Sequence, residues 1–135
     1  MHNCIFCKIL TGEIPTLKVY EDTHAIAFLD VNPVSKGHTL VIPKTHYETL
    51  SLMPETEFLS YMATVHKVVK GLMKYTDGVN VLQNNGKDAG QLVPHVHFHI
   101  IPRRPGDGLK IGEWHVHHDP DLDKVQMVIK SLLKE

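Results

Sequence analysis

The chain is poor in cysteine: Cys4 and Cys7 are the two in 135 residues, too few for a disulfide framework. A thioredoxin-like redox centre is also poorly served, because this Cys-x-x-Cys pair has no strand ahead of it. Neither sign of charge dominates. With 14 Lys and Arg against 15 Asp and Glu, nothing favours nucleic acid or an anionic membrane surface as partner. No apolar run approaches a membrane span, and residues 1–10 lack the cationic start and long apolar core of a secretory signal. A cytoplasmic, reducing setting is therefore expected, where paired cysteines favour metal over disulfide.

What the chain has in quantity is histidine, 11 residues, a load suited to metal binding or to acid–base chemistry near neutral pH. Its length suits one domain spanning residues 1–135. Asn3 is placed to cap a short helix over residues 4–10, closed by Gly12 and Pro15. Residues 18–21 and 24–29 read as two strands about an Asp22-Thr23 turn, and residues 38–42 as a third strand stopped by Pro43. From Pro54 to about Tyr75 apolar residues recur at helical spacing, with Phe58, Met62, Val65, Val69 and Leu72 on one face and His66 at the surface. Residues 80–84 read as a strand. A final helix opens at Asp119 or Pro120, with Leu122, Val125, Val128 or Ile129, and Leu132 inward. Strands followed by helices in this order argue an α+β fold, with a largely antiparallel sheet and helices packed on it.

The run His95-Val96-His97-Phe98-His99-Ile100-Ile101, between Pro94 and Pro102, reads as a strand with three imidazoles on one face and core residues on the other. Three readings compete: a nucleophilic site, a catalytic metal site, and surface histidines without a role. Neutral imidazole is a fair nucleophile at pH 7 toward phosphorus, and the phosphoryl group can later leave it. The central His97 is the natural nucleophile, provided its second nitrogen keeps a proton on an acceptor such as the His95 carbonyl. His99 and His95 would then give positive charge or protons to phosphate oxygens and leaving group. The loop over residues 84–91 holds Gly86 and Gly90. Asn84 and the backbone N–H groups of Gly90, Gln91 and Leu92 form a candidate oxyanion cradle, or else an ordinary hairpin loop. Cys4, Cys7, His46 and His95 can be combined into one Cys2His2 zinc site, closed at four ligands and therefore structural. Trp114, His115, His117 and His118 either add to a site or form an exposed loop.

With these residues assembled, the chain resembles the histidine-triad superfamily, whose signature alternates histidine with apolar residues as in positions 95–101. The resemblance extends to Cys4-Ile5-Phe6-Cys7-Lys8-Ile9, Gly12-Glu13-Ile14-Pro15, Ala27-Phe28-Leu29-Asp30, Gly37-His38-Thr39-Leu40-Val41-Ile42-Pro43-Lys44, and Asn84-Asn85-Gly86 with Gly90-Gln91. These match the bacterial, Hint-like nucleotide-binding branch over roughly residues 3–102, leaving 103–135 as a C-terminal loop and helix. The resemblance implies a five-stranded sheet continued across a homodimer. It implies a purine mononucleotide or nucleotide conjugate of AMP or GMP type as ligand, and phosphoramidase or dinucleotide hydrolase activity through a nucleotidyl intermediate on His97. It places the ribose-binding acid on Asp30, the base pocket on Ile5, Phe6, Ile9, Phe28, Val31 and Leu40, and the phosphate contacts on Asn84, Gly90, Gln91 and His99. It also implies zinc on Cys4, Cys7, His46 and His95. One position departs: Leu92 stands where many relatives have Ser or Thr, so a hydroxyl is missing while the backbone N–H stays. That substitution motivates the alternative of a nucleotide sensor or scaffold with little turnover.

Overall fold

The computed structural model describes residues 3–110 and 112–134. Helix α1, Ile5–Leu10, is capped not by Asn3 but by Cys4, whose Sγ accepts the Cys7 N–H at 3.4 Å. Strands β1 (Lys18–Glu21) and β2 (Ala25–Leu29) form the expected hairpin, with Asp22 Oδ1 accepting the His24 and Ala25 N–H groups across the turn. β3 (Thr39–Pro43) follows, then α2 (Glu55–Leu72), β4 (Gly78–Gln83), β5 (Phe98–Arg103) and α3 (Leu122–Leu132). The five strands lie in the order β1-β2-β3-β5-β4, antiparallel throughout. Among the described residues, no helix is long and apolar enough to cross a membrane.

The sheet separates two apolar clusters. On one face Val96, Phe98 and Ile100 join Ala25, Ala27, Leu29, Val41, residues of α2, and Val125 and Ile129 of α3. On the other, Phe6 packs with Ile26, Phe28, Leu40 and Ile42. A strand alternates its side chains between faces, and this division leaves the histidines of residues 95–99 on the second side.

Three element readings change in the structure. The ladder of β5 starts at Phe98, so His95 and His97 lie on the approach to the strand and only His99 is within it. Its far end reaches Arg103 through Pro102, because β3 begins opposite Ile100 and no longer flanks β5 there. The buried face of α2 is Tyr61, Thr64, Val65, Val68, Gly71 and Leu72, rotated from the predicted stripe. Polar Thr64 is buried because its hydroxyl donates to Asp22 Oδ2 at 2.6 Å. Gly71 is buried because Leu133 packs where a Cβ would stand. On α3 the inward residue is Ile129, while Val128 is exposed.

Gly37 sets the entry to β3. Its φ is +93°, and a Cβ there would stand 2.7 Å from the Tyr75 ring. A Gly37→Ala variant is expected to lose about 2–3 kcal/mol, from left-handed strain plus overpacking. Urea denaturation reads this, and an unchanged midpoint would refute the assignment.

Candidate active site and metal centre

His97 has one nitrogen held and one free. Its Nδ1 lies 2.7 Å from the His95 carbonyl oxygen, so Nδ1–H donates and Nε2 keeps its lone pair. Burial pushes the His97 pKa below the ordinary imidazole value, opposed by that same hydrogen bond. The ring is thus a neutral, oriented base. Phe6 stands at near right angles to it, centroids 5.1 Å apart.

His99 is fixed by a chain of hydrogen bonds that begins on the backbone. The Val34 N–H donates to His38 Nδ1 at 3.1 Å, and His38 Nε2 lies 3.0 Å from His99 Nδ1. Since His38 Nδ1 accepts, the proton of the neutral ring is on Nε2 and passes the bond to His99 Nδ1. His99 then carries its own proton on Nε2, as a neutral donor. Burial, aided by neighbouring imidazoles, lowers the pKa to about 3 for His38 and about 4 for His99. Of the two roles expected of His99, positive charge or a proton, the neutral ring therefore fits the second, offering an N–H at neutral pH.

Asp30, His38 and His99 lie close enough to suggest a second metal group. The tautomer chain argues otherwise, because His38 Nε2 carries a proton and has no lone pair for a cation. His38 Nε2 is instead 3.7 Å from Asp30 Oδ2. Nor do the three imidazoles of residues 95–99 gather about one ion: among the described residues they form no ligand group.

His95 belongs to a different cluster. Its Nε2 lies 3.0 Å from the Pro43 carbonyl, so Nε2–H donates there and Nδ1 is left unprotonated. That Nδ1 is 3.4 Å from Cys4 Sγ, 3.7 Å from Cys7 Sγ and 3.1 Å from His46 Nδ1, while Cys7 Sγ is 3.3 Å from His46 Nδ1. Tetrahedral zinc with ordinary bond lengths sets its ligand atoms about 3.3–3.8 Å apart; three of these separations fall in that range and the His46–His95 one is slightly short, so the four side chains fit the ion after a small shift. The Pro43 bond orients His95 as ligating imidazoles require. Burial and the Cys4 sulfur push the Cys7 thiol up, a cost that a divalent cation would reverse by favouring thiolate. With both nitrogens committed, the His95 side chain is not free to serve protons to a leaving group, contrary to expectation. What it gives His97 is its carbonyl.

The remaining predicted residues divide. Phe6, Phe28 and Leu40 are buried in one cluster with Ile9 packed against it, whereas Ile5 and Val31 are exposed and stand outside it. Asp30 is held by the Asn32 N–H on Oδ1 at 2.8 Å, and burial raises its pKa. Asn84 Nδ2 lies beside Gly90. The three-amide cradle is not realised. In the turn at Lys87–Ala89, the Gly90 and Gln91 N–H groups donate to Lys87 O and Gly86 O, and among the described residues only the Leu92 N–H of the three has no partner. The Gln91 side chain is engaged with Gly86 N–H, Glu48 O and Val93 O, bracing the loop. The Leu92 side chain is 89% exposed.

Two residues near the triad have no role assigned by the sequence. His38 looked like an ordinary first residue of a strand, and only the β3–β5 register brings it to His99. Trp114 was read with its neighbours as undecided. Its ring stands 4.9 Å from His99 and 5.5 Å from His38 with its outer side open to solvent, the residue being 45% exposed, and His115, His117 and His118 are exposed as well.

The buried His38–His99 pair makes stability depend on pH. Both rings are neutral in the fold, and the unfolded chain binds more protons once pH drops below about 6.5, so stability is full above that value and falls toward pH 4 and 3. The loss expected by pH 4 is on the order of 3 kcal/mol per imidazole. Unfolding free energies at pH 7 and pH 4.5 should fall more steeply for the wild type than for His38→Asn. Equal slopes would contradict it.

The HIT domain family matches residues 11–106. The chain is 55% identical over 131 residues to an uncharacterised HIT-like protein of Methanocaldococcus jannaschii, covering 95% of this chain and 99% of the other. It is 47% identical over 131 residues to the adenosine 5′-monophosphoramidase of Saccharomyces cerevisiae, covering 96% and 80%. Among solved structures it is similar to a zinc-bound histidine-triad family protein from Mycobacterium smegmatis, with a TM-score of 0.88 at 35% identity over 98% and 94% of the two chains.

Proposed function

The chain belongs to the histidine-triad (HIT) family, and from that premise we propose that it is a purine nucleotide-binding hydrolase or transferase cleaving nucleoside phosphoramidates or dinucleoside polyphosphates. The observation that carries this reading is the oriented His97 ring, with Nδ1–H on the His95 carbonyl. The free Nε2 attacks phosphorus, and the P–N or P–O bond to the leaving group breaks. The leaving group departs with its electron pair and takes up a proton from solvent, which the later attack of water on the intermediate returns. Water then attacks the phosphorus held on Nε2, releasing nucleoside monophosphate and restoring neutral His97. The ring's positive charge in the intermediate strengthens the Nδ1–H bond, while His99 Nε2–H and the Leu92 N–H donate to phosphate oxygens. The purine enters against Phe6, Phe28, Leu40 and Ile9, with Ile5 and Val31 at the rim and Asp30 on the ribose. A relative named adenosine 5′-monophosphoramidase supports the substrate class.

Zinc on Cys4, Cys7, His46 and His95, one per chain, is structural in this reading: it ties α1 to the segment ahead of β5 and, closed at four ligands, has no open position for substrate. The proposed homodimer pairs at β4. This edge strand, Gly78–Gln83, carries no charged residue to blunt it, and Val81 is exposed.

Mass spectrometry after mixing with an adenosine phosphoramidate tests the reading. The expected result is a transient adenylyl adduct on a peptide containing His97, on a native particle of twice the 15.3 kDa chain. Tight AMP binding with no adduct and no turnover would favour the sensor reading.

A further inference from the structure

Residues 104–110 and 112–118 lie as a strap across the β3–β5 end of the sheet, tied at both ends. At its base Arg103 donates to both Asp107 carboxylate oxygens, at 2.9 and 3.0 Å, to Leu109 O and to Asn80 Oδ1. Arg104 reaches the Lys36 carbonyl. At its far end the His117 N–H donates to the Pro33 carbonyl. Both outer anchors fall on the loop that delivers His38. Between them Trp114 meets His99 and His38 at interplanar angles of 72° and 70°.

The His99 ring is thereby bounded on three sides: His38 bonds its Nδ1, His97 stands 4.9 Å away, and Trp114 closes the remaining side at the same distance. A hydrogen bond to one ring nitrogen fixes the tautomer and the mean orientation but still tolerates a rocking of the ring by some tens of degrees. A rigid aromatic wall removes that freedom at little entropic cost, because the indole has only two side-chain torsions. We infer that Trp114 is a positioning residue for His99, holding its Nε2–H toward the phosphate subsite and making the strap part of the reaction site. The inference rests on the nucleotidyl-transfer reading.

The test separates position from fold and from binding. In Trp114→Ala, kcat for an adenosine phosphoramidate should fall at least about tenfold, while AMP affinity changes less than about threefold. Trp114→Phe, which keeps a flat wall, should recover most of the rate. In a His38→Ala background, where the tautomer chain is already broken, Trp114→Ala should cost little more. Trp114 is the single tryptophan, so its emission should also shift on AMP binding in the wild type. If alanine unsettles the strap, Trp114→Leu reads the same split. An unchanged kcat, no rescue by Phe, a full-sized additional loss in the His38→Ala background, or emission indifferent to AMP would each overturn the inference. A wild type without turnover removes the reaction reading and the inference together. Wild-type turnover with an unaffected Trp114→Ala removes the inference alone.

Discussion

A His97→Ala variant is expected to lose at least about a thousandfold in kcat, roughly 4 kcal/mol of barrier, while still binding AMP. The split follows from where the ring sits. Its free nitrogen is the group proposed to meet phosphorus, whereas nucleoside affinity is assigned to Phe6, Phe28 and Leu40, buried in the cluster beside it. Alanine at this position removes the nucleophile and the Nδ1–H bond to the His95 carbonyl but leaves the backbone path unchanged. Steady-state kinetics with an adenosine phosphoramidate, beside equilibrium AMP binding, reads both quantities. A variant that kept most of its turnover would show that another group attacks.

The second large effect is expected from Cys7→Ser. Zinc content should fall from about one per chain to well below it, because one of four ligands is lost from a closed set. A bound ion would stabilise the fold by mass action, about 4 kcal/mol when free zinc exceeds Kd a thousandfold, and the variant would forfeit that increment. Turnover should also fall at least about tenfold, since His95 both faces the cysteine pair through Nδ1 and receives the His97 Nδ1–H on its carbonyl. Elemental analysis and thermal melts with and without chelator check the first two effects. A wild-type melt indifferent to chelator would refute the stabilising role.

The α+β architecture and the antiparallel sheet were legible because short apolar runs bounded by turn residues recur in residues 18–42, and apolar residues at helical spacing in 54–72. The Cys-x-x-Cys pair and the alternating histidines were likewise visible, as residue types whose spacing has few uses. What was not legible depends on contacts distant in sequence. The faces of α2 rotated because Thr64 and Gly71 look polar and small until Asp22 and Leu133 are set against them. For His95 the sequence offers two roles, ligand beside Cys4, Cys7 and His46 or proton donor to the reaction, and only the Pro43 carbonyl, which takes its remaining N–H, weighs against the second. The amide cradle failed because the tight turn at Lys87–Ala89 uses the N–H groups that an open loop would have offered. His38 and Trp114 join His99 from 61 and 15 residues away, a distance at which no local pattern speaks.

The strand order bears on how the molecule is made. β5 inserts between β3 and β4, so the sheet stays divided until Phe98–Arg103 has left the ribosome, long after its β3 partner. Pairings of such sequence separation carry a high loop-closure cost and fold slowly. Until β5 docks, the hairpin of β1 and β2 with β3 has an unpaired, apolar border, an edge open to mispairing. Reaction chemistry and metal affinity should therefore switch on together, in one late docking event, since the same segment completes both.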